Sequence, residues 1–108
     1  MTKLSEKKCV ACAVGVPCLQ GEELQNLVDE LNSGWSVVDG HHIEREFDFE
    51  NFVQALDFTN RMGAVAEKEG HHPDIFLTWG KVKVKIFTHK INGLSESDFI
   101  LAAKIDAL

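Results

Sequence analysis

The chain has 108 residues, 44% hydrophobic and 26% charged, and eleven Lys and Arg against seventeen Asp and Glu leave a net charge of −6. That length fits one domain with a single core and argues against a two-domain enzyme. The acidic balance argues against direct nucleic-acid binding, which needs clustered positive charge. No apolar run approaches the roughly 18–20 residues of a membrane span. The stretch after the charged N-terminus is only mildly apolar and leads into an acidic helix pattern, a poor signal peptide. An intracellular, cytoplasmic protein without membrane attachment is therefore expected.

Residues 1–19 lack a clear period and read as an N-terminal arm; residues 20–108 read as one domain. The arm holds all three cysteines, Cys9, Cys12 and Cys18. An odd count does not suit a disulfide framework. Cys9 and Cys12 have the spacing of half a zinc knuckle, and Cys18 is a third candidate ligand. A closed site needs a fourth, from His41, His42 or water. Free thiols on an arm are the plainer reading, and no metal is expected.

From Gly21, Leu24, Leu27, Val28 and Leu31 recur at helical spacing, with Glu22 and Glu23 in the first turn, and Asn32-Ser33-Gly34 ends the helix. Two extended runs follow, Trp35–Val38 and His42–Phe49. They are joined at Asp39-Gly40, a hairpin signal because both central turn residues need positive φ. His41 and His42 beside this turn read as surface residues. Asp48 is a candidate cap for the next helix. There Phe52, Ala55, Leu56, Thr59, Met62, Gly63 and Ala66 form a stripe that Phe58 and Val65 widen. A stripe this wide suggests contact with the sheet and with something more, such as another subunit.

Gly70 is the expected stop, and Pro73 prevents resumption. Ile75–Trp79 is extended, and Lys81–Ile86 alternates strictly, with Val82, Val84 and Ile86 on one face and three Lys on the other. The Lys face reads as a solvated face that blunts edge pairing, with a ligand patch as the alternative. Asn92-Gly93 is a turn. Ser95 and Asp98 resemble a capping box opening a last helix with Phe99, Leu101, Ala102 and Ile105. The order helix, two strands, helix, two strands, helix implies an α+β domain. It is a four-stranded antiparallel sheet with three helices packed on one face.

The histidines carry the chemical signal. His71 and His72 stand where the long helix ends, and His89 follows the alternating strand. Pro73 biases His72 into extended backbone, and adjacent extended residues point to opposite sides, so the two His serve different tasks. The hairpin returns His89 towards the helix end. Glu67, one turn before His71, is placed to orient an imidazole; otherwise it is a plain surface residue. Trp79 and Phe76 are candidates for an aromatic wall against a flat ring. Three His and a carboxylate can ligate zinc, but adjacent His seldom reach one ion.

Glu67, His71-His72-Pro73, Trp79, His89 and Asp98, at these spacings, resemble the signature of the pterin-4a-carbinolamine dehydratases. Gly34-Trp35, Phe47, Phe49, Thr88-His89, Gly93-Leu94-Ser95 and Ile105-Asp106 agree with it over residues 20–108. The resemblance implies a dehydratase of 4a-hydroxytetrahydropterins that recycles the cofactor of aromatic amino acid hydroxylases. It implies no cofactor, a pterin substrate, and a homodimer or homotetramer. It puts catalytic histidines at His71, His72 and His89, with Glu67, Pro73, Trp79 and Asp98 binding or orienting, beside Phe76 of the aromatic wall. Position 75 is Ile where animal members carry Trp, and Trp79 fills a position often held by Tyr. The cysteine arm has no counterpart in the animal form. That form also resembles a partner of a homeodomain transcription factor, so an interaction module is the competing reading, with a molybdopterin-linked role as a third.

Overall fold

The structure is a computed structural model that describes residues 4–6, 18–31 and 34–108. Cys9 and Cys12, the end of the first helix at Asn32-Ser33 and any metal held by the arm lie outside those residues. Four strands and three helices follow in the expected order: α1 (Gly21–Glu30), β1 (Ser36–Val38), β2 (His42–Asp48), α2 (Phe52–Glu69), β3 (Asp74–Leu77), β4 (Lys81–Ile86) and α3 (Glu96–Asp106). The sheet is antiparallel throughout, with spatial order β1-β2-β4-β3.

Asp39 (φ 54°) and Gly40 (φ 64°) both occupy the left-handed region, and the His41 amide closes the turn on Val38 O at 2.9 Å. This is the turn geometry that Asp-Gly favours. The β2–β4 register places Ile43, Arg45 and Phe47 opposite Ile86, Val84 and Val82 on the helix side. Glu44, Glu46 and Asp48 face Lys85, Lys83 and Lys81 on the outer side. The lysine row thus meets an acidic row. Lys81 reaches Glu46 at 3.3 Å and Lys83 reaches Glu44 at 3.6 Å. Such exposed pairs add little stability and leave the outer face close to charge balance.

The core fills the space between the inner sheet face and α2 and α3. Ile43, Met62, Val82, Val84, Ile86, Leu94, Phe99, Leu101 and Ile105 are all buried. α3 is buried almost all round, because α2, α1 and a short 3-10 turn at Leu4–Glu6 all pack on it. Leu4 is itself buried, so part of the expected arm belongs to the core. Trp35 Nε1 donates to the Asp106 carboxylate at 2.8 and 3.0 Å, and Arg45 Nη1 donates to it at 2.9 Å. These bonds tie the start of β1, β2 and the end of α3 together. Burial pushes the Asp106 carboxyl up, opposed by those two partners.

One local expectation changes. The cap of α2 is Asn51, whose side chain accepts the Gln54 amide at 2.9 Å. Asp48 instead ends β2, opposite Lys81. The wide stripe on α2 is covered in part. Ala55, Phe58, Met62 and Ala66 are buried, whereas Phe52 and Leu56 stand in solvent beside Val53.

Candidate functional site

α2 ends in a way that fixes the first histidine. Gly70 adopts φ 66°, its amide reaches Glu67 O at 3.3 Å, and the His71 amide reaches Ala66 O at 3.2 Å. This paired closure satisfies the last helical carbonyls and needs a residue tolerant of left-handed backbone. Pro73 then leads straight into β3, whose first residue, Asp74, pairs with Lys85. β4 ends at Ile86, and His89 opens a 3-10 turn through Ile91. His71, His72 and His89 are therefore delivered to one end of the β3–β4 pair.

α3 supplies the group beneath them. Asp98 is fully buried, and its carboxylate is saturated with donors. Oδ1 accepts His71 Nε2 at 2.5 Å. Oδ2 accepts Thr88 Oγ1 at 2.8 Å, the Ser95 amide at 2.8 Å and Ser95 Oγ at 3.4 Å. Two expected roles for Asp98 are thus met by one side chain: it closes the capping box of α3 and it holds an imidazole. Desolvating a carboxylate is costly unless its lone pairs are filled, and these are. With Nε2–H donated to Asp98, His71 keeps Nδ1 as the atom free to exchange a proton; the tautomer follows from the network. Thr88, which joins Asp98 directly, is the residue before His89.

Glu67 pairs with His72 rather than with His71, at 2.7 Å from Nε2. Both side chains are well exposed, so this bond is weak and solvent-screened. The two adjacent histidines do point apart, one to a buried carboxylate and one to an exposed one. His89 differs again. Its exposed ring packs on Phe87 with centroids 4.2 Å apart.

The register separates Phe76 and Trp79 from this cluster. Phe76 lies on the outer face opposite Lys83, and Trp79 follows the Leu77↔Val82 pair at the far end of the hairpin. At about 3.3 Å per residue, Trp79 lies roughly 16 Å along the chain from Asp74. Both rings are exposed. A cavity of about 550 Å³ between Arg45, Phe58, Arg61 and Ile105 contains none of the histidines. Its two arginines are committed, to Asp106 at 2.9 Å and to Asp57 at 2.6 Å.

His41 and His42 are not plain surface residues. Their Nδ1 atoms are 3.1 Å apart, His41 Nε2 is 2.9 Å from Asn92 Oδ1, and the His41 ring packs on Phe87 at 4.5 Å. Sequence spacing gave no signal for this, since a contact between residues 41 and 92 depends on β2 pairing with β4. Cys18 also reaches this loop, donating Sγ–H to Ile91 O at 3.2 Å. Among the described residues, no group of three or more His, Cys, Asp or Glu is arranged to hold a metal ion. No helix among them is long and apolar enough to cross a membrane.

Known proteins resemble this chain in fold and in sequence. A solved transcriptional coactivator/pterin dehydratase of Brucella melitensis superposes with a TM-score of 0.78 at 36% identity, covering 84% of this chain and 97% of its own. A pterin dehydratase-like RuBisCO assembly factor of the alpha-carboxysome shares the fold, with a TM-score of 0.60 at 24% identity over 68% of this chain and 87% of its own. A relative from Alkaliphilus metalliredigens is 56% identical over 98% of this chain and 96% of its own. Another, from Rubrobacter xylanophilus, is 56% identical over the whole of both chains. Both are named, provisionally, as pterin-4-alpha-carbinolamine dehydratases. The profile described as Pterin 4 alpha carbinolamine dehydratase matches residues 17–108, which include every histidine and carboxylate of the cluster, and this chain belongs to that family.

Proposed function

We propose that the protein dehydrates a 4a-hydroxytetrahydropterin to the quinonoid dihydropterin, with His71 and His89 as the general acid/base pair. The observation that carries the proposal is the buried Asp98, which holds His71 and, through Thr88, adjoins His89. Loss of water breaks the C4a–O bond and forms a C4a=N5 double bond. The N5 proton passes to a base, and the departing hydroxyl takes a proton from an acid, so the enzyme's net protonation is unchanged. Hydroxide is a poor leaving group, and imidazoles exchange protons readily near neutral pH.

Asp98 fixes the orientation of the His71 imidazole and which nitrogen faces the substrate. His72, on the solvent side with Glu67, contacts the bound ring, and Pro73 fixes the backbone between them. Phe76 and Trp79 stand apart from this histidine cluster along the β3–β4 hairpin. A largely uncharged bicyclic substrate requires no basic groove, in keeping with the acidic chain. The step uses no metal or organic cofactor. In the cell it serves recycling of the pterin cofactor of aromatic hydroxylases, in the cytoplasm. The test is to generate the carbinolamine in the cuvette and follow its dehydration spectrophotometrically with and without the protein. No acceleration would refute the proposal.

One feature favours a second, compatible reading as an interaction module. Phe52, Val53 and Leu56 are 42%, 74% and 39% exposed on the first turns of α2. A contiguous apolar patch of this kind marks a docking surface. Self-association into a homodimer or homotetramer is the occupant proposed, and light scattering of wild type against Val53→Glu tests it.

A further inference from the structure

The three histidines of the proposed site are not held alike. His71 has Asp98 and His72 has Glu67, each through a hydrogen bond from Nε2. Among the described residues, the His89 ring is held by packing on Phe87 and by no hydrogen bond from its ring nitrogens. Its orientation therefore depends on what holds Phe87. That ring also packs on His41, with centroids 4.5 Å apart, and carries Lys85 Nζ 5.6 Å from its centroid. His41 is anchored at both nitrogens, to Asn92 Oδ1 at 2.9 Å and to His42 Nδ1 at 3.1 Å. Asn92 sits in left-handed backbone (φ 51°) immediately after the turn that bears His89, and its backbone N–H donates to His89 O at 3.2 Å.

We propose that His41, in the β1–β2 turn, is a positioning residue for His89, clamping Phe87 by its ring and the His89 turn through Asn92. The inference rests on the dehydratase reading for its kinetic consequences and on geometry alone for its structural ones. The clamp is sensitive to acid. Two Nδ1 atoms 3.1 Å apart need one proton between them, so a pair with both Nδ1 atoms protonated cannot keep this contact. The groups facing the pair are Glu44, 3.6 Å from His42 Nε2, and Lys85, with Asn92 and Phe87 against His41 and with His89 and Lys90 on the turn beyond. Burial first, and Lys85 second, hold the His42 imidazole below its ordinary value and so favour the state with a single shared proton.

The experiment combines kinetics with NMR of the His89 ring in His41→Ala, His41→Phe, His89→Ala and the His41→Ala/His89→Ala double variant. His41→Ala is expected to lower kcat about ten-fold with KM within about two-fold, because a displaced imidazole loses reactive alignment more than binding. The same substitution is expected to cost nothing further in the His89→Ala background. His41→Phe, which keeps a ring against Phe87 and cannot titrate, is expected to recover most of kcat and to lack the acid-side fall that the clamp gives the wild type. In His41→Ala the His89 ring resonances, which feel the Phe87 ring current, are expected to move. An unchanged kcat with unmoved His89 resonances would overturn the inference, as would an equal loss in the His89→Ala background. If the wild type does not dehydrate the carbinolamine, the proposed function fails, and the His89 resonances alone decide the clamp: movement supports it and constancy refutes it.

Discussion

Replacing Asp98 by Asn separates its two tasks, because an amide keeps one acceptor and turns the other into a donor. The oxygen position that accepts Thr88 Oγ1 and the Ser95 amide, both at 2.8 Å, is the one the amide must keep as oxygen. Its NH2 then faces His71 Nε2, which must accept, and the His71 proton moves to Nδ1. The cap of α3 survives, so the expected loss of stability is about 1 kcal/mol, roughly 4–8 °C in Tm for a domain of this size. The imidazole, however, presents the wrong tautomer, and kcat is expected to fall about 10²–10⁴-fold, the range seen for general acid–base and tautomer defects. Asp98→Ala instead leaves the Ser95 amide without its acceptor and the Thr88 hydroxyl with Ser95 Oγ alone, at about 2–3 kcal/mol. Chemical denaturation and stopped-flow dehydration of both variants are the assays. Asn at 98 with near wild-type kcat, or one as destabilised as Ala, would refute the argued division of labour.

Other substitutions probe the frame around the site. Gly70→Ala places a side chain at φ 66° in otherwise open space, so backbone strain of about 1–2 kcal/mol should appear in denaturation curves, with kcat reduced because His71 follows directly. Phe99→Ala, at a fully buried position, should cost about 3–5 kcal/mol by the same measurement. His42 is held below the ordinary imidazole value of 6.5 when folded, by burial and by Lys85. The unfolded chain then binds the proton first, so this group's contribution is complete above pH 6.5 and is lost as pH falls below it. His42→Asn should therefore flatten the acid-side decline of Tm relative to wild type; an identical decline would show that His42 does not contribute.

The architecture was legible because its cues are local. Strict alternation from Lys81 to Ile86 announced a half-buried strand, Asp39-Gly40 a hairpin, Gly70 and Pro73 a helix end, and Ser95 with Asp98 a cap. The cluster was legible in part. The helix end and the hairpin carried His71, His72 and His89 to one end of the sheet, as their spacing implied. Partners were less legible. One helical turn favoured Glu67 with His71, but the closure at Gly70 turns His71 inward to Asp98 and leaves Glu67 to His72. The role of His41 depends on a contact with residue 92 across paired strands, which no local pattern encodes. Asp48 lost the cap to Asn51 because β2 runs to its full length against β4 and consumes Asp48 in the ladder. Phe52 and Leu56 of the α2 stripe stay exposed because the sheet covers only part of that face, and the sequence pattern alone did not say which part.

The central claim is that His71 and His89 together dehydrate a pterin carbinolamine, and one spectrophotometric series tests it. The carbinolamine is generated in place, and its decay is followed with wild type, His71→Ala and His89→Ala under the same conditions. The account predicts clear acceleration by the wild type and a loss of about 10²-fold or more in each variant, the scale of a missing general acid or base. No acceleration by the wild type, or full activity in both variants, would contradict it.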